Sequence, residues 1–269
     1  MQNNIRELIV KSTREIIEKC ANDKKLKNII KKHQAKVHFI PKKYRILGGI
    51  LQSMNIQFGN FIEVLMKNLI ANENHYKILE KYSGRKSNKF SLPLTSDNLI
   101  DNYITQCQTQ NNDVEIAFRD LCLKIYENNS KNEKSVLFKH DIDLLFKDTR
   151  NSNIYYLEIK YNDDHDTGKF VDINRKFIKT YAYLLNEFKL NSFDKIKPIL
   201  FFFNNKKMKG NIYIPESSHI YRGERFFKEF LSTNYKDLEN YLQNFSESLE
   251  NLKEFEKLEQ KIKNLTLNG

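Results

Sequence analysis

The chain has 269 residues, enough to bury a substantial core, and its 45 Lys+Arg against 34 Asp+Glu leave a formal charge of +11. That charge favours a polyanionic partner, and no apolar run approaches the ~20 residues of a membrane span. Cys20, Cys107 and Cys122 have no Cys-x-x-Cys spacing, so they offer no zinc pattern and suit a reducing, cytoplasmic compartment.

In chain order, Asn4 to about Lys31 is amphipathic, with Ile5, Leu8, Ile9, Ile16, Ile17 and Cys20 near helical spacing. It reads as one or two helices broken around Ala21-Asn22-Asp23, and its charged start does not resemble a signal peptide. Lys31 to Lys43 is basic and irregular up to Pro41; its lysines read as a solvated surface at least as well as phosphate contacts. Gly48-Gly49 opens the next stretch, in which Gln52, Ser53, Asn55 and Gln57 read as an amide-rich loop that reads bases or fixes a helix start. After Gly59, the residues Phe61, Ile62, Leu65, Met66 and Leu69 recur with a 3.6-residue period and predict a helix. Glu63 lies off the centre of that stripe, either as a solvated helix residue or as part of an acidic cluster beside a metal. Asn72 to Pro93 reads as a polar connection broken at Ser83-Gly84, Ser96 to Cys107 is weakly patterned, and Asp113 to Tyr126 predicts a short helix.

The most informative stretch runs from Val136 to Lys160. Two apolar runs, Ile142–Phe146 and Ile154–Lys160, flank a polar turn and predict a β-hairpin. Side chains alternate along a strand, so Asp141 and Asp143 share one face, as do Glu158 and Lys160. Pairing of the strands brings carboxylates and an amine to one sheet end, which suits metal-assisted phosphodiester hydrolysis. Acid-x-Lys triplets also occur at Asp23-Lys24-Lys25, Glu187-Phe188-Lys189 and Glu259-Gln260-Lys261, all in helical stretches. Only Glu158-Ile159-Lys160 closes an apolar β-like run. The plainer alternative is a surface ion pair on an edge hairpin, and strands this apolar argue against it.

Beyond the hairpin, Asp163, Asp164, His165, Asp166 and Gly168 form a polar turn before a helix over Phe170–Phe188. Arg175 and Lys179 share a helical face with Lys176 nearby, so this helix is either a phosphate-binding or a solvated one. His165 lacks partners at zinc-ligand spacing. Lys197–Phe203 predicts a buried strand beside the hairpin, Ile212–Ile214 an edge strand, and Glu224–Leu231 a helix. Tyr235–Leu265 predicts one long helix whose apolar seam packs on the body or on a second copy.

Asp143, then fifteen positions to Glu158 and on to Lys160, resembles the PD-(D/E)xK nuclease superfamily, with Ile142 where the motif has proline and Asp141 as the competing aspartate. The stretches Gln52–Glu63 and Asn162–Phe170 are similar to TdeIII-like type II restriction endonucleases. The resemblance covers roughly Gly48–Arg225. It implies an α/β fold, a central mixed sheet flanked by helices, with an N-terminal helical part (1–47), a catalytic core (48–233) and a C-terminal helix (234–269). It implies Mg²⁺-dependent cleavage of double-stranded DNA at a short palindrome, with GGNCC the candidate, by a homodimer, Mn²⁺ replacing Mg²⁺. Asp143, Glu158 and the carbonyl of Ile159 would hold the metal, Lys160 would orient water or stabilise charge, and Glu63 would assist. Gln52, Asn55, Gln57, Asp163, Asp164, His165 and Lys169 are the expected base readers, and Arg175, Lys176 and Lys179 the expected phosphate contacts. Two rivals remain at this level: a repair or junction-resolving nuclease, and a non-catalytic DNA-binding protein.

Overall fold

The expected hairpin does form, between Leu144–Asp148 and Ile154–Lys160, and a five-stranded mixed sheet is built on it, whereas Ser135–Lys139 belongs to a separate ribbon. The computed structural model describes residues 3–34, 37–86, 88–110, 113–128 and 134–267. The elements in chain order are α1 (Asn3–Ala21), α2 (Asp23–Gln34), α3 (Lys42–Ala71), β1 (Tyr76–Ile78), β2 (Lys89–Pro93), α4 (Leu94–Thr109), α5 (Val114–Asn128) and β3 (Ser135–Lys139). They continue with β4 (Leu144–Asp148), β5 (Ile154–Lys160), α6 (Thr167–Phe188), β6 (Ile196–Phe202), β7 (Ile220–Arg222), α7 (Gly223–Phe230), α8 (Tyr235–Ser246) and α9 (Leu249–Leu267). Two units are distinguished, Met1–Leu65 with Thr233–Gly269, and Met66–Ser232; the division falls inside α3.

The first unit is helical. Asn22 ends α1 and caps α2, its side-chain oxygen accepting from the Lys25 N–H at 2.9 Å. Ile17, Cys20, Leu26, Ile46, Ile50, Met54, Leu258 and Ile262 form its core. α2 and α3 close tightly at Gly49, where a Cβ would stand 3.0 Å from His33 Nε2 and 3.2 Å from Ile29 Cγ2. The expected loop at Gln52–Gln57 is instead the middle of α3. Each interior glycine costs a helix about 1 kcal/mol. Burial of Ile46, Ile50 and Met54 before Gly59, and of Phe61, Ile62 and Leu65 after it, outweighs that cost. The expected single C-terminal helix is broken into α8 and α9. Ser248 starts α9 by accepting the Asn251 N–H on its hydroxyl at 3.3 Å, a local bond that competes with helix continuation.

In the second unit the strand order is β1-β4-β5-β6-β7. β1 and β5 pair antiparallel to β4, whereas β5, β6 and β7 run parallel. The parallel β5–β6 step requires a crossover, which α6 supplies. Ile154, Tyr156 and Leu145 point into a core shared with α4, α5 and α6, and Tyr156 stacks on Phe177 of α6 at 5.1 Å. On the other face Phe146 and Tyr155 stack at 5.1 Å, with Phe230 of α7 edge-on to Tyr155. Burial on both faces explains why β5 reads as a nearly unbroken apolar run.

The polar connection Asn72–Pro93 hides two strands. β1 pairs with β4, and β2 pairs with β3 in a separate two-stranded ribbon. Gly84, at φ +87°, lets the chain turn so that its N–H reaches the Ile142 carbonyl at 2.7 Å. The weakly patterned Ser96–Cys107 lies within α4. Ile212–Ile214 is not a strand: Asn211 Oδ1 takes the N–H groups of Tyr213 and Ile214 at 2.8 and 3.1 Å, and β7 forms the sheet edge instead.

The hairpin turn is held by Asp148, which is buried and accepts from the Arg150 main-chain N–H at 2.9 Å and from its guanidinium at 2.8 Å. Asp148→Ala should destabilise by about 1–3 kcal/mol in urea unfolding, because those donors lose their acceptor. An unchanged midpoint would show the turn to be held by strand pairing alone.

Candidate active site

Register places the chemistry. Leu144 pairs with Leu157, so one step further the antiparallel pairing sets Asp143 across from Glu158. Tyr156, Glu158 and Lys160 then follow on one face at the end of β5 that faces away from the hairpin turn. Asp143 Oδ2 accepts the Ile159 N–H at 2.7 Å, which fixes the carboxylate on the strand end. The Lys160 ammonium donates to Glu158 Oε1 at 2.7 Å, the Ile159 carbonyl at 2.9 Å and Asp143 Oδ2 at 3.3 Å. One cation thus gathers two carboxylates and a main-chain carbonyl.

Glu158 is 3% exposed, a burial that by itself would raise its carboxyl pKa. Lys160 and His140 outweigh that and hold it down at about 2, so the carboxylate is ionised at neutral pH. Burial alone would lower the Lys160 ammonium, and the charges of Asp143 and Glu158 instead raise it. Glu158 has further partners that the sequence reading missed. The Tyr156 hydroxyl donates to Oε2 at 3.1 Å, and His140 Nε2 lies 3.5 Å from Oε1. The other ring nitrogen of His140 pairs with the buried Thr180 hydroxyl at 2.8 Å. Tyr156 was legible, since it shares a strand face with Glu158. Nothing in the sequence ties Thr180, on α6, to this end of the sheet.

Asp141 is engaged elsewhere: its Oδ1 accepts the N–H groups of Lys86 and Asn88, each at 3.1 Å. Among the described residues no group of three or more His, Cys, Asp or Glu side chains is arranged to hold a metal ion. The centre offers two carboxylates and a carbonyl, all hard oxygen donors that fit Mg²⁺ with water completing its shell. Glu63 is half-buried on α3, in the first unit, and the cluster described from the second unit is built without it.

The expected DNA-reading residues separate. Asp164 and Lys169 are exposed and His165 is half-buried beside the N-terminus of α6, which Asp166 caps at 2.9 Å to the Lys169 N–H. Gln52 and Asn55 are exposed and Gln57 half-buried, all on α3 rather than in a loop. Asp163 has a different task. It is buried and accepts from Arg222 at 2.7 Å and from the Met208 and Lys209 N–H groups at 2.9 and 3.1 Å. On α6, Lys179 is bridged to Asp97 at 2.6 Å and Asp101 at 3.3 Å, Arg175 to Asp101 at 3.1 Å and Lys176 to Asp172 at 2.8 Å. A phosphate contact by these cations, or a base contact by Asp163, would first have to break such pairs.

Burial would raise the Asp163 carboxyl, but Arg222 and the two N–H donors hold it below the ordinary range. Because the folded value is depressed, the stability it contributes is present above about pH 4 and lost as pH falls through the lowered value. Arg222→Ala strands this buried carboxylate and should cost about 3–5 kcal/mol at neutral pH, with a smaller loss in acid. Equal losses at both pH values in thermal unfolding would contradict the pairing.

A model described as type II restriction endonuclease, HinfI, matches residues 1–246. The type II restriction enzyme HinfI of Haemophilus influenzae is 53% identical over 263 residues, covering 97% of this chain and 98% of that protein. No solved structure matches. Among the described residues no helix is long and apolar enough to cross a membrane. These matches decide between the three DNA-directed classes left open by the sequence. The chain belongs to the HinfI family of type II restriction endonucleases, site-specific deoxyribonucleases acting on double-stranded DNA.

Proposed function

We propose that the DNA strand is cut at the end of β5 by Asp143, Glu158, the Ile159 carbonyl and Lys160, with Mg²⁺ as the metal and Mn²⁺ as a substitute. The observation that carries this reading is the convergence of those three oxygens within 3.3 Å of one ammonium. A cation in their midst would polarise the scissile phosphate and lower the pKa of a bound water. The chain's own groups do the rest. The Ile159 N–H and the Tyr156 hydroxyl fix the Asp143 and Glu158 carboxylates before DNA arrives, so little reorganisation is left for the reaction. Lys160 donates to three acceptors at once, which requires the ammonium form. Its role is therefore to stabilise charge and orient water, not to abstract a proton.

The strand-end pattern supports membership of the PD-(D/E)xK group. The closer likeness to TdeIII-like enzymes, and with it GGNCC as the target, rests on the resemblance alone. A palindromic target is matched by a two-fold dimer with one centre per strand. Base reading falls to exposed Asp164 and Lys169, with His165 beside them, and to Gln52, Asn55 and Gln57 on α3. Glu63 is given an assisting role by the resemblance. Cys20, Cys107 and Cys122 are free thiols, in keeping with action in the cytoplasm.

Glu158→Ala and Lys160→Ala should each lower single-turnover cleavage by at least about a thousandfold while thermal unfolding still shows a cooperative fold. Asp143→Ala should do the same and Asp141→Ala should not; the opposite order would assign the metal to the wrong aspartate. EDTA should stop cleavage and Mg²⁺ or Mn²⁺ restore it, and full activity in EDTA would remove the metal from the reaction. Sequencing of the cut ends from a mixed DNA substrate identifies the target, and sedimentation on a duplex carrying it should show two copies per site.

A further inference from the structure

Arg175, Lys176 and Lys179 of α6 are matched by acids, and a longer run of cations lies elsewhere in the chain. Residues 24–45 contain eight lysines and one arginine and no aspartate or glutamate, and the next acid along the chain is Glu63. The chain's whole formal charge is +11, so nine positive charges in this stretch account for most of it. Asp23 is bridged to Lys261 at 2.8 Å, and Glu259, which Lys43 feels at longer range, is bridged to Lys263 at 2.7 Å.

The described residues of that stretch lie on α2, on residues 37–41 and on the start of α3. α2 and α3 pack through Leu26, Ile29, Ile30, Ile46 and Ile50. The Ile40 N–H donates to His38 Nδ1 at 3.0 Å, and the Tyr44 and Arg45 N–H groups reach the Pro41 carbonyl at 3.1 and 3.3 Å. This locally bonded tip holds Val37 and Phe39 out in water, 104% and 92% exposed, the two most exposed large apolar side chains among the described residues. Lys31, Lys32 and Lys43 are exposed beside them and Lys42 is half-exposed. Apolar side chains thrust outward between lysines are the pattern of elements that enter a DNA groove, with cations on the phosphates and an apolar wedge against the bases.

We propose that the α2–α3 tip is a DNA-docking element, in which Lys31, Lys32, Lys42 and Lys43 contact phosphates flanking a groove and Val37 and Phe39 press against base edges or between base steps. A second copy of this chain fits the tip poorly, because it would set one acid-free block of cations against another. Duplex DNA, with one negative charge per about 1.7 Å of axis, relieves that repulsion. The inference rests on family membership, and is independent of the roles given to Asp143, Glu158 and Lys160.

Its test is equilibrium binding of the full-length protein to a fluorescent duplex carrying the mapped site, with Ca²⁺ replacing Mg²⁺, between about 50 and 200 mM salt. Replacing Lys31, Lys32, Lys42 and Lys43 by Gln together should reduce the slope of log affinity against log salt by about 3–4, at roughly 0.9 per phosphate lost. Val37→Ala with Phe39→Ala should weaken binding roughly tenfold at every salt concentration with the slope unchanged, and Phe39→Leu should restore most of it. Lys257→Gln, which removes a cation already bridged to Glu254 at 2.6 Å, should leave the slope alone. A wild-type slope in the lysine variant, or wild-type affinity in the Val37/Phe39 variant, would overturn the proposal. So would sedimentation showing that the Val37/Phe39 variant loses a dimer present without DNA, which would make the tip a contact between copies.

Discussion

Two carboxylates at the end of a strand, one of them almost wholly removed from water, repel each other and lose hydration. The Lys160 ammonium resolves both problems by lying between Asp143, Glu158 and the Ile159 carbonyl. The geometry follows from the sheet. Antiparallel pairing of β4 with β5 sets Asp143 opposite Glu158, and strand alternation returns Lys160 to the same face two residues later. A one-residue slip of that register would turn both Glu158 and Lys160 to the opposite face. The stacked aromatics on one face and the α6 core on the other hold the register and, with it, the site.

Partners in the surrounding shell make the cluster specific. Tyr156 and the Ile159 N–H orient the two carboxylates, while His140 links Glu158 to Thr180 on the crossover helix. The crossover that lets β5 and β6 run parallel thereby also supports the site. Elsewhere the same device of a buried carboxylate with an arginine serves the fold instead: Asp163 with Arg222 ties the turn after β5 to the edge strand β7. Of these two arrangements, it is the cluster on the register-fixed strand end that has a carbonyl oxygen and two carboxylates converging on one point.

The hairpin, the strand beside it and the helices on either side were legible because apolar period and turn composition are local signals. Glu158-Ile159-Lys160 stood out for the same reason, ending an apolar run where the other acid-x-Lys triplets sat on helices. What was not legible depended on partners distant in sequence. β1 is three residues long and exists because β4 offers it an edge. His140 and Thr180 meet only through the packing of α6, forty positions later. Gln52–Gln57 was misread as a loop because glycines mark turns in isolation, whereas the apolar stripe on both sides of them keeps α3 continuous. Arg175 and Lys179 looked available because their acidic partners, Asp97 and Asp101, lie on α4.

In the proposed mechanism the oxygens gathered by Lys160 are the oxygens that hold the catalytic cation. Calorimetric titration of Mn²⁺ into the DNA-free protein and into Lys160→Met tests it most directly. Removing the ammonium leaves two carboxylates without their cation, so Mn²⁺ should bind the variant more tightly than the native protein, although the variant no longer cuts DNA. The gain should disappear when Glu158→Gln is added. Mn²⁺ binding that is unchanged by Lys160→Met and indifferent to Glu158 would place the cation elsewhere.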